Sequence, residues 1–137
     1  MENENSKQTA YFLLRITLGM NLLSHGIVRM GNIEGFRNWM DQLFQETFLP
    51  WWAVFVWGTV LPIIEFSLGG LLVLGIFTYR ALITRAILIV ILIVGSCLIQ
   101  RWEWVGIQMI YSLFFYFLIN NLSNNAYAID NYLKHRT

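Results

Sequence analysis

Arg15, His25 and Glu65 interrupt stretches of sequence that are otherwise apolar enough to cross a membrane. Lipid cannot solvate an ionisable group, so each must face protein or a water-filled cavity. Together they supply a guanidinium, a carboxylate and an imidazole that titrates near neutrality. Such a set can bind an acidic or carbonyl-bearing ligand and deliver a proton to it. Arg15 and Glu65 also invite pairing. Counted from Met30 and from Trp51 at ~1.5 Å per residue, they lie roughly 22 Å and 21 Å below one membrane face. The expectation is that they meet as an intramembrane ion pair, either as a structural clamp between two helices or as part of a ligand cavity.

A second tier of polar residues shares the same environment. Arg29 falls on one helical stripe with Arg15, Gly19, Leu22 and Gly26. It reads as an interfacial anchor whose charged end reaches the headgroups, or as a second cation at the mouth of a cavity. Gln108, Tyr111 and Ser112 share a stripe further along. Their ordinary role is interhelical hydrogen bonding, and the alternative is a polar pocket wall. Trp57, Phe66, Phe114 and Phe115 are read as packing in a chain that is 16% aromatic. Cys97 is the only cysteine, which excludes an intrachain disulfide and a CxxC redox pair.

Other chemistries are excluded more firmly. A haem held by two histidines needs two of them inside the membrane, and only His25 qualifies, because His135 sits in the polar tail. No metal-ligand cluster, nucleotide loop or nucleophile–base motif is present. The net charge of +1 provides no basic field for nucleic acid.

The elements that must hold these residues are helices. Hydrophobic residues make up 57% of the 137 and charged residues 12%, against about a quarter charged in ordinary soluble domains. The mean hydropathy is +0.56. Four apolar segments, at about residues 10–30, 51–77, 81–100 and 104–121, approach or exceed the ~20 residues needed to span a bilayer. Residues 33–48 are too polar to span. Ile33, Phe36, Met40, Leu43 and Phe44 nevertheless recur at helical spacing, which predicts an amphipathic helix at the interface or over the bundle. The fold class expected is an all-α membrane protein: a four-transmembrane-helix up-down bundle with an amphipathic helix between spans one and two. Residues 1–8 read as a polar tail, 9–122 as the membrane domain, and 123–137 as a second polar tail. Gly19 and Gly26 on span one, and Gly58 and Gly69 on span two, mark faces where another backbone can come close. Pro62 removes a backbone donor from span two and predicts a kink.

Orientation follows from the basic residues of the short connections. Lys7, Arg80, Arg85, Lys134 and Arg136 fall on one side, and Arg29, Arg37 and Arg101 on the other. This bias predicts both termini in the cytoplasm; the membrane expected is the bacterial cytoplasmic one, and in a eukaryotic chain the outer side would be lumenal or extracellular. Trp51, Trp52, Trp102 and Trp104 would then form an aromatic belt on the outer face, with Tyr11 and Tyr79 on the inner one.

The order LRITLGMNLLSHGIVRMG followed by PIIEFSLGGLLVLGIFTYRA resembles the DoxX-like family of small four-helix membrane proteins. The matching positions are Arg15, His25, Gly26, Glu65, Gly69, Gly70, Gly75 and Arg80, and the resemblance covers roughly residues 10–120. It implies a small membrane subunit in quinone-linked redox chemistry, working with a partner redox protein. No covalently bound cofactor is implied, only a diffusible quinone. On this reading Arg15, His25 and Glu65 line a polar cavity. Two further readings stay open: a non-enzymatic scaffold or assembly factor for a partner protein, and a small proton-coupled transporter. A homo-oligomer is compatible with all three.

Overall fold

The computed structural model describes residues 2–134. His135 and Arg136, and the side chain of Lys134, lie outside the described residues. The chain forms α1 (Glu2–Gly31), α2 (Ile33–Phe44), α3 (Trp51–Leu74), α4 (Thr78–Leu98), α5 (Trp102–Asn120) and a short α6 (Ile129–Lys134), with a 3₁₀ turn at Leu122–Asn124. No strand occurs among the described residues. Helices α1, α3, α4 and α5 are each long and apolar enough to cross a membrane, so the all-α membrane bundle is the observed architecture. Leu13, Val28, Ile63, Val90 and Met109 are exposed on the outer faces of these four helices, the surface a bilayer would cover.

The ends of the helices differ from the sequence reading. Residues 2–8 do not form a separate tail but the first turns of α1. They are polar yet contain neither Gly nor Pro, and extending an existing helix costs little once it is nucleated. Helix α2 stops at Phe44 rather than near residue 48, with the side chain of Asn32 capping its start through the Gly35 N–H at 3.1 Å. Pro50 occupies the N-cap of α3, and Pro62 sits inside that helix without interrupting it. Gly75 ends α3 in the left-handed conformation at φ 68°, its N–H returned to the Leu71 carbonyl. A side chain there would be strained by φ and would also run into Ala128 and the Arg15 guanidinium.

Small residues dictate the tightest packing. A β-carbon placed on Gly26 would reach 2.5 Å from the backbone of Phe66, and one on Gly19 would reach 2.9 Å from the Val73 nitrogen. One on Gly69 would collide with the backbone of Leu23. Helix α1 therefore lies backbone to backbone along α3. Gly58 serves a different contact, facing the Arg37 side chain on α2. Helices α4 and α5 make the second close pair, and α2 packs across the start of α3.

The glycine contacts also fix the register of the antiparallel pair. Gly26 faces Phe66, Leu23 faces Gly69 and Gly19 faces Val73, so the facing numbers always add to 92. Glu65 is then level with Ile27, and Arg15 with Phe77, twelve residues along the same axis. At ~1.5 Å per residue that is roughly 18 Å. The start of α3 extends well past the end of α1, and α2 covers this projecting part by packing Met40 and Phe44 against Val54 of α3.

The segment after α5 is folded back on the bundle rather than forming a free tail. Asp130 accepts hydrogen bonds from the Phe77 and Thr78 N–H groups at 2.7 and 2.8 Å, and its own N–H donates to the Gly75 carbonyl at 3.0 Å. It supplies from a distance the N-terminal cap that α4 lacks locally. Phe77, which precedes α4, is held at φ 48°.

Candidate functional site

The expected pairing of Arg15 with Glu65 does not occur. Arg15 is fully buried at the end of the bundle where α6 returns. Its Nη1 donates to Asn125 Oδ1 at 2.7 Å and its Nη2 to the Tyr127 carbonyl at 2.6 Å. Asn125 in turn donates to Thr78 Oγ1 at 3.1 Å. Glu65 instead pairs with Arg29. The reason is the register: counting depth from Met30 and Trp51 treats those two residues as level, whereas α3 projects beyond α1. The error moves the carboxylate along by three turns and exchanges one arginine of the α1 stripe for another.

Arg29 is accordingly not a simple interfacial anchor. Its guanidinium is held between the Glu65 carboxylate and the face of the Phe36 ring, 4.8 Å from the ring centroid. The helices position this contact directly. Gly26 lets α1 close on Phe66, the residue after Glu65, and Asn32 caps α2 so that Phe36 arrives one turn later.

Beside this pair lies an open cavity of about 270 Å³ lined by residues of α1 to α5. Glu65, Arg29 and His25 form part of its wall, with Gln108 and Tyr111 opposite on α5 and Arg85 on α4. Trp57, Phe36, Trp39 and Trp104 supply aromatic surface. Trp39 on α2 stacks obliquely on Trp104 of α5, with ring centroids 5.9 Å apart, and on Phe36 at 5.7 Å. Helix α2 is thereby fastened across the bundle as a lid. A second cavity of about 280 Å³, almost wholly apolar, adjoins the first and shares Met40, Phe44, Trp57, Ile91 and Gly95 with it.

Among the candidates named from sequence, His25, Arg29, Glu65, Gln108 and Tyr111 share this cavity, while Arg15 and Ser112 do not line it. His25 is on the cavity wall but keeps an exposed side chain. Gln108 donates to Ser96 Oγ at 2.9 Å, tying α5 to α4. Ser112 spends its hydroxyl on the Gln108 carbonyl within its own helix. Cys97 is a free, half-buried thiol. Phe115 is in the core and Phe66 is exposed, so of the four aromatics singled out only Trp57 meets the cavity.

The residue missed by sequence reasoning is Arg85, assigned there to a loop charge. It is 7% exposed and lines the cavity within electrostatic reach of Glu65, Arg29 and His25. Among the described residues nothing accepts a hydrogen bond from its Nε or Nη1. Two signals point to it. In the sequence Leu82, Arg85 and Ile89 recur at helical spacing, and the structure buries that face. Glu65 also lies nine residues before the end of α3 and Arg85 seven after the start of α4. A turn as tight as residues 75–77 brings two such positions to one level. The Gln108 Oε1 atom is likewise buried without a partner among the described residues.

Chemically, the site offers a carboxylate already neutralised by one guanidinium, a second guanidinium with unused donors, and an amide and a phenol facing them. His/Cys/Asp/Glu groups able to hold a metal ion do not occur among the described residues. Comparison with models of known protein families, with curated proteins and with solved structures finds no match for this chain.

Proposed function

We propose that this chain is a DoxX-type membrane subunit that holds the polar head of a quinone in the cavity between Glu65, Arg85 and Gln108, supporting quinone-linked redox chemistry. The observation that carries the reading is Arg85. A guanidinium buried among membrane helices with free donors is costly unless something accepts from it. A quinone carbonyl is such an acceptor, and the aromatic walls suit a flat ring. The adjoining apolar cavity suits the tail. Arg85 and Tyr111 would orient the carbonyls, and His25, at the exposed edge, would carry protons in and out. Electrons would come from a partner redox protein, since the described residues include no metal-holding cluster and the chain has one cysteine. With Arg29 and Arg85 set aside as cavity residues, Lys7, Arg80, Lys134 and Arg136 against Arg37 and Arg101 support cytoplasmic termini.

The open cavity favours this reading over a silent scaffold, in which the polar residues would close on one another. The Arg29–Glu65 pair favours it over a proton-coupled transporter, because the carboxylate is already committed to a guanidinium. The test is mass spectrometry of an organic extract of the purified protein. Quinone should co-purify with the wild type and with Gly70→Ala, a change into open space, and be lost from Arg85→Leu at matched folding. An extract free of quinone in every case would overturn the reading.

A further inference from the structure

The charges around the cavity do not cancel. Arg29 on α1 and Arg85 on α4 are cationic, and Glu65 on α3 is the only carboxylate in the wall. Helix α5 contributes neutral Gln108 and Tyr111, and α1 adds the titratable His25. The carboxylates of the lid are turned elsewhere: Glu34 and Asp41 line a separate groove with Arg37, on the far side of α2. Glu65 is committed to Arg29. Arg85 is therefore a buried cation with no carboxylate bonded to its Nε or Nη1, in a compartment whose walls are mostly apolar.

We infer that the cavity is built for a ligand with a singly charged oxyanion head on an apolar body, with Arg85 as its counter-ion. The inference rests on the reading of the cavity as a ligand site, but not on the ligand being a quinone. Charge-assisted hydrogen bonds from a guanidinium are about twice as strong as neutral ones. A single negative charge would bring the set of Arg29, Glu65, Arg85 and ligand to neutrality, which a neutral carbonyl cannot do. The apolar body has a place to go, because Gly95 lines both the polar cavity and the apolar one beside it. A β-carbon on Gly95 would touch the Phe44 ring at 3.6 Å, so a larger side chain there would obstruct the passage between the two. Two sources share this chemistry, an ionised hydroxyquinone and the carboxylate of a long-chain fatty acid.

The experiment uses the full chain in neutral detergent and reads tryptophan fluorescence, since Trp39, Trp57 and Trp104 line the cavity. The probes are a 3-alkyl-2-hydroxy-1,4-naphthoquinone, ionised at neutral pH, and its 2-methoxy ether. Displacement is then measured with a long-chain carboxylate and with its methyl ester. The expected result is that the hydroxyquinone binds at least about tenfold more tightly than the ether, a range typical of a desolvated charge pair. Arg85→Leu should abolish that preference, Arg85→Lys should retain most of it, and Gly95→Leu should weaken both quinones alike. Equal affinity of hydroxyquinone and ether for the wild type would overturn the inference without any variant having to fold. A native quinone in the extract together with equal affinity leaves the quinone reading standing and removes the oxyanion. No native quinone, with displacement by the carboxylate but not the ester, removes the quinone reading and keeps the oxyanion site.

Discussion

A carboxylate that is 2% exposed inside a membrane helix must be held by donors, and for Glu65 the donor observed is Arg29. Removing one member of a buried pair leaves the other uncompensated, which typically costs about 3–5 kcal/mol. Arg29→Leu, which strands the buried Glu65 carboxylate, should therefore lower the thermal midpoint in detergent more than the double change Arg29→Leu/Glu65→Leu. A double variant no more stable than Arg29→Leu would show that the two charges are not coupled. Arg15 presents a contrasting case. It has a carbonyl and an amide oxygen as acceptors and no carboxylate within bonding distance. Asn125→Ala should leave its Nη1 without an acceptor and destabilise the protein by about 1–3 kcal/mol, the usual range for a lost partner at a buried polar group. Denaturation of the purified variant measures this directly.

At the scale of helices, glycine decides which pairs close. Gly26→Leu and Gly69→Leu place side chains where the opposing backbone already sits, and should separate α1 from α3 and prevent stable folding. Gly70 is on the same helix but meets open space. Gly70→Ala should be neutral, or stabilising by up to about 1 kcal/mol through helix propensity. Thermal melts of the three variants side by side test whether close approach, rather than glycine itself, is what matters. The start of α4 depends on a distant residue. Asp130→Ala removes the cap on Phe77 and Thr78 and should cost about 0.5–2 kcal/mol. Faster amide exchange at Phe77 and Thr78 would locate that loss at the turn.

Across the whole molecule, the polar groups fall into two separate centres, one under the lid and one where the chain end returns. Sites more than about 10 Å apart with no shared partner usually contribute additively, within ~0.5 kcal/mol. Arg15→Leu and Glu65→Leu should therefore add, and a coupling well above that would mean that the register derived from the glycine contacts is wrong.

Much of this arrangement was legible in the chain itself. Composition and the lengths of apolar runs determine four membrane helices, because only helices of about 20 apolar residues satisfy their backbone within lipid. Helical periodicity determines the amphipathic lid, and the glycine stripes determine which faces approach. Periodicity alone does not say how far one helix slides along another. That offset depends on side chains interlocking across the interface, so only the tertiary structure decided that Glu65 meets Arg29 rather than Arg15. Nor does local sequence show that Asn125 and Asp130, in a stretch that reads as a polar tail, return to hold Arg15 and cap α4. Burial turns Arg85 from one basic residue among several near a helix end into a cation of the cavity wall. Burial is a property of the assembled bundle, not of the sequence around the residue.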